Sequence, residues 1–132
     1  MISRRWLCLG LSLAGCASTS DGPVFPAAVP GGWNLKSSQT FPIERAPDAV
    51  RKVGAQRCWS ATYAGPGSAT AEVYELATSA LGLEMVQQWR PAADTVVWYT
   101  PRYFIVVKWQ SQDRSAVSAL VRGLQKQFSA QK

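Results

Sequence analysis

A thiol beside a guanidinium and two carboxylates three positions apart are the groups of this chain best suited to chemistry. Cys58 follows Arg57, and a cationic neighbour can lower a thiol pKa enough to make a nucleophile or a redox centre. Glu72 and Glu75 could supply a general acid and a general base. The composition argues against both. The chain contains no histidine, the commonest general base, the commonest metal ligand and the usual partner of a nucleophilic thiol or hydroxyl. On a strand, residues three apart point to opposite faces, so Glu72 and Glu75 would need partners from elsewhere, such as Glu84 or Asp94. Cys58 therefore reads as a core or half-buried residue, and no catalytic residue is assigned. A metal site would rest on carboxylates alone, and no calcium-loop spacing occurs. Gly65-Pro66-Gly67 lacks the lysine and the strand-to-helix setting of a phosphate-binding loop. No cofactor and no metal are expected.

The aromatic residues suggest binding. Trp33, Trp59, Trp89, Trp98 and Trp109 accompany Tyr63, Tyr74, Tyr99 and Tyr103. Tryptophan and tyrosine combine a large apolar body with a polar edge, which suits recognition surfaces. The segment Trp98-Tyr99-Thr100-Pro101-Arg102-Tyr103 is the candidate binding surface, with Trp98, Tyr99, Arg102 and Tyr103 as its contact residues. The competing reading places these rings between a sheet and its helices as core. The net charge of +6 is dispersed along the chain, whereas nucleic-acid binders concentrate it, so no nucleic-acid partner is expected.

These residues need elements to hold them. Hydrophobic residues make up 47% and charged residues 17% of the 132-residue chain, which calls for one folded domain. Trp33 to Phe41 alternates loosely and predicts a first strand. Pro47 opens a short helix carrying Ala49, Val50 and Val53, and Gly54 suits its exit. Arg57 to Tyr63 and Ala69 to Ala77 read as a hairpin turning at Gly65-Pro66-Gly67. Ser79 to Arg90 reads as a helix with Leu81, Met85 and Trp89 in one stripe, stopped by Pro91. Thr95 to Tyr99 and Tyr103 to Trp109 form a second hairpin. Asp113 to Phe128 is the clearest helix. Val117, Leu120, Val121, Leu124 and Phe128 share one face, while Arg114, Ser118, Arg122, Gln125 and Lys126 lie largely on the other. Gly123 either weakens that helix slightly or marks close packing.

The expected fold is α+β: an antiparallel sheet of four to five strands in two hairpins, with two to three helices on one face. The element order fits a ferredoxin-like split βαβ unit, and equally two helix–hairpin repeats closed by the final helix.

The amino-terminal segment reads as an address. Met1 to Arg5 is basic and Trp6 to Ala14 is apolar, shorter than the about 20 residues a spanning helix needs. Ala17 to Gly32 is rich in proline, glycine and serine and reads as a tether, leaving residues 33–132 as the domain. Between address and tether stands Leu13-Ala14-Gly15-Cys16, which resembles the lipobox of bacterial lipoproteins. The resemblance implies removal of residues 1–15 as a signal peptide and a diacylglyceryl group on the Cys16 thiol. It also implies acylation of the new amino group, by palmitate or a similar chain. Two or three acyl chains hold a protein stably on a membrane, where one does so only marginally. Ala17 stands where lipoproteins of enterobacterial type often carry an aspartate for inner-membrane retention. In a diderm cell this favours the outer membrane, facing the periplasm. Ser3-Arg4-Arg5-Trp6-Leu7 also partly resembles a twin-arginine export signal. The alternative is an ordinary secretion signal with an incidental cysteine. After processing, Cys58 would be left without an internal disulfide partner.

Three further stretches resemble an uncharacterised family of small bacterial proteins: Ala71-Glu72-Val73-Tyr74-Glu75-Leu76, Gln88-Trp89-Arg90-Pro91 and Tyr103-Phe104-Ile105-Val106-Val107. That resemblance implies no activity. The expectation is a membrane-anchored, non-enzymatic module of the cell envelope that binds a protein, glycan or lipid, or holds partners as an accessory subunit. The alternative is an enzyme of unrecognised type acting in the same place.

Overall fold

The computed structural model describes residues 22–90 and 92–130, so the lipobox and its leader lie outside the described residues. Six strands appear in chain order: β1 (Ala28–Val29), β2 (Trp33–Phe41), β3 (Arg57–Ala64), β4 (Ser68–Glu75), β5 (Thr95–Tyr99) and β6 (Tyr103–Gln110). The helices are α1 (Asp48–Lys52), α2 (Ser79–Gln88) and α3 (Arg114–Ser129), with a 3-10 turn at Ile43–Arg45. The class is α+β, as expected. All six strands join one antiparallel sheet in the order β1-β2-β3-β4-β6-β5.

The ferredoxin-like order is not the one adopted. The chain leaves β2, makes the short helix α1 and returns beside the strand it left, pairing Phe41 with Cys58. β2 and β3 are therefore antiparallel neighbours, with no strand inserted between them. The element order is that of two helix–hairpin units, α1-β3-β4 and α2-β5-β6, joined edge to edge through β4 and β6 and closed by α3.

The expectation of helices on one face needs correction: they cover both. Tyr103 to Val107 of β6 are five successive buried residues. Successive side chains of a strand point to opposite faces, so such a run requires cover on each side. Tyr103, Ile105 and Val107 join Trp59, Ala61, Tyr63, Ala71 and Val73 beneath Leu120, Leu124 and Phe128 of α3. Phe104 and Val106 join Cys58 and Tyr74 on the reverse side, beneath Val50 of α1 and Met85 of α2.

The strand not foreseen is β1, and it lies within the proline-rich segment. Ala28 pairs with Asn34 and Val29 with Trp33. Val29 is buried, Phe25 meets the Phe128 ring edge-on at 5.8 Å, and the Tyr63 hydroxyl donates to the Pro26 carbonyl at 2.8 Å. The apolar residues of this stretch fasten it to the core, and Pro30, Gly31 and Gly32 turn the chain from β1 into β2. Packed chain therefore begins before Trp33.

Helix α3 starts where Asp113 accepts the Ala116 N–H at 3.0 Å, an N-cap. Gly123 marks a close approach. A Cβ there would stand 2.6 Å from Cγ1 of Val29, so β1 can touch the helix only because glycine occupies that position.

Candidate functional site

Helix α3 buries Val117, Leu120, Leu124 and Phe128 against the sheet. The helical period then places Arg114, Ser118 and Arg122 on an exposed flank. This flank does not meet the β5–β6 hairpin. Between them runs an open groove of about 830 Å³. Val96 of β5, Trp109 of β6 and Val117 and Val121 of α3 supply its apolar surface. Arg114 and Arg122 stand along the helical side, with Asp94 at the start of β5. Asp94 adopts a left-handed backbone, φ 57°, at the turn that starts the hairpin, a conformation aspartate tolerates better than most residues. Neither arginine is ion-paired among the described residues. The arrangement suits a ligand with an apolar body and anionic groups. Its hydroxyls, Ser111 and Ser118, have no histidine to activate them.

A second polar cluster closes one end of the sheet. Arg57, Glu75 and Tyr103 lie in register across β3, β4 and β6. Glu75 accepts from Arg57 Nε at 2.7 Å and from Nη2 of Arg57 and Arg102 at 2.8 Å each. The Arg57 guanidinium lies 5.0 Å over the Trp59 ring and that of Arg102 lies 5.2 Å over Tyr103. Those two rings meet edge-on at 6.0 Å. Hydrogen bonding to Arg57, with the second arginine reinforcing it against burial, holds the Glu75 carboxyl down at about 2. A carboxylate held so firmly ionised is a poor proton carrier at neutral pH, and this cluster is structural.

The candidate surface at the second hairpin is divided by the sheet. Tyr103 is 2% exposed, beneath Arg102, whose guanidinium is engaged with Glu75. Trp98 packs into the α3 side of the core, and its indole N–H is buried without a partner among the described residues. Tyr99 points the opposite way and is exposed, with the α2 backbone at Gly82 lying against its ring. Strand alternation thus separates Trp98 from Tyr99 and prevents one continuous aromatic patch.

On the α2 side, Cys58 is 2% exposed. Burial, then the charges of Glu72 and Glu44, push its thiol up to about 11. Arg57, its charged neighbour in sequence, serves the opposite face with Glu75. Glu72 accepts the Tyr74 hydroxyl at 3.0 Å, and burial with that carboxylate raises the phenol above its ordinary range. Glu72 and Glu75 do lie on opposite faces. Among the described residues no cluster of three or more metal-ligating side chains forms, and no helix is long and apolar enough to cross a membrane.

The groove escaped sequence reasoning although half of its residues were legible there. Arg114, Ser118, Arg122 and Gln125 already form a polar stripe in the sequence, but such a stripe ordinarily faces solvent. Its significance depends on where the β5–β6 hairpin stops. Comparisons of the chain with protein-family models, with curated proteins and with solved structures find no match.

Proposed function

We propose that this protein is a lipid-anchored lipoprotein of the bacterial cell envelope whose domain is a non-enzymatic binding or accessory module. The α3–β5 groove is its working surface, and the groove carries the reading. It joins an apolar lining to two arginines unpaired among the described residues, whereas the reactive candidates are withheld: Cys58 is buried and Glu75 is tied to arginines. The anchor rests on the resemblance of Leu13-Ala14-Gly15-Cys16 to a lipobox and on the basic and apolar stretches before it. Ala17 favours an outer-membrane position facing the periplasm in a diderm cell.

Two measurements test the two halves. The full chain and its Cys16→Ala variant are expressed in a bacterial host, and membrane partitioning and the amino-terminal mass are determined. A lipid-bearing mass beginning at Cys16, lost in the variant, supports the anchor. Unmodified soluble chain from both overturns it. For the groove, a photoreactive residue is placed at Ser118 in one chain and at exposed Lys36 of β2 in another. Adducts specific to position 118 support the groove as the working surface. Equal labelling, or none at 118, removes it.

A further inference from the structure

Among the described residues the sheet ends at β5, and the phase of its ladder shows what that edge offers. Trp109 N–H donates to the Asp94 carbonyl at 3.1 Å and Thr100 N–H to the Tyr103 carbonyl at 2.8 Å. Asp94/Trp109 and Thr100/Tyr103 are therefore bonded pairs. The register between them is unbroken, so Val96/Val107 and Trp98/Ile105 are bonded pairs too. The backbone N–H and C=O groups of Thr95, Val97 and Tyr99 consequently point away from β6. Among the described residues, no bond from these three backbones reaches another element.

Natural edges are commonly blunted by charge, proline or a bulge. This one, Thr95-Val96-Val97-Trp98-Tyr99, has none of these. The groove with its arginines flanks the edge on the α3 side. On the α2 side stand Tyr99 and Leu83, two of the three exposed large apolar side chains among the described residues.

We infer that β5 receives a seventh strand, an extended acidic peptide segment of a partner protein; this rests on the groove reading above. The backbone of the segment would pair with Thr95, Val97 and Tyr99. Alternate side chains would lie over the groove lining and place carboxylates at Arg114 and Arg122, while those between them would meet Tyr99 and Leu83. Charge selects this occupant. A second copy pairing β5 to β5 would bring its own Arg114 and Arg122 to the same side of the joint, like charge beside like charge.

The test uses detergent-solubilised full chain and two fluorescent peptides, one alternating Val with Glu and one alternating Val with Lys. Anisotropy measures affinity, and amide hydrogen exchange follows Thr95, Val97 and Tyr99. The glutamate peptide is expected to bind at least about tenfold more tightly than the lysine peptide, and to slow exchange at those amides. The double reversal Arg114→Glu with Arg122→Glu should lose about tenfold or more for the glutamate peptide. Val97→Pro should abolish binding while retaining the fold, because the Val97 N–H makes no ladder bond. Binding without slowed exchange would overturn strand addition and leave the groove intact. A sedimenting dimer broken by Val97→Pro would assign the edge to a second copy instead. No binding of the glutamate peptide overturns the inference, and labelling at position 118 then decides separately whether the groove reading falls with it.

Discussion

Trp33 on β2 donates its indole N–H to the Ala116 carbonyl on α3, 2.8 Å away in space and 83 positions away in sequence. The pair joins the first long strand to the last helix, and Trp33 is 1% exposed. Trp98 makes the opposite case, its indole N–H buried without a partner among the described residues.

Those two tryptophans should respond differently to the same change. Trp33→Phe removes a satisfied buried donor and is expected to cost about 1–3 kcal/mol. Trp98→Phe removes a donor that gains nothing from folding and should cost distinctly less. Urea unfolding of both variants checks the order, and equal losses would refute the account.

Glu75 predicts acid sensitivity of a definite sign. Its folded pKa of about 2 lies below the ordinary 4.5, so its stabilising contribution is present above pH 4.5 and fades as pH falls toward 2. Arg57 and Arg102 are partly exposed, with side chains 44% and 37% accessible, so solvent screening holds the contribution to about 1–2 kcal/mol. In Glu75→Gln that slope of stability between pH 4.5 and 2 should flatten. Thermal melts across the window provide the measurement.

Gly123→Ala should destabilise despite the better helix propensity of alanine, worth about 1 kcal/mol. The new methyl would meet Val29 Cγ1 at 2.6 Å and Pro30 Cδ at 3.1 Å. A net loss of about 1 kcal/mol or more is expected, with faster amide exchange in β1. Adding Val29→Ala should recover part of it. An additive double-mutant cycle would show that the contact carries no energy.

The Cys58 thiol, raised to about 11 and buried, should resist alkylation in the native chain at pH 8 and react once urea unfolds it. Mass mapping of the Cys58 peptide before and after denaturation decides this. Rapid native labelling would return Cys58 to the list of reactive groups.

Much of this protein is determined locally. A period-two run specifies β3, an unbroken β-prone run specifies β6, the period of 3.6 specifies α3, and Pro47, Gly54 and Gly65-Pro66-Gly67 mark the breaks. These signals are legible because each depends on a residue and its near neighbours. The split of Glu72 from Glu75 is local for the same reason, since strand alternation alone dictates it. Two-sided cover was legible as well, in the unbroken apolar run from Tyr103 to Val107, once that run is read as a strand buried on both faces.

Tertiary structure decided what depends on distant partners. Val29 belongs to the core only because Gly123 admits it, and Glu75 is fixed only because Arg57 and Arg102 reach it across the register. The polar flank of α3 looks like any solvated helix face in the sequence. It becomes one side of a groove because α3 and the β5–β6 hairpin leave a space between them, with Arg114 and Arg122 beside an edge that no other strand among the described residues completes. Periodicity describes one element at a time, whereas a groove is the space between two.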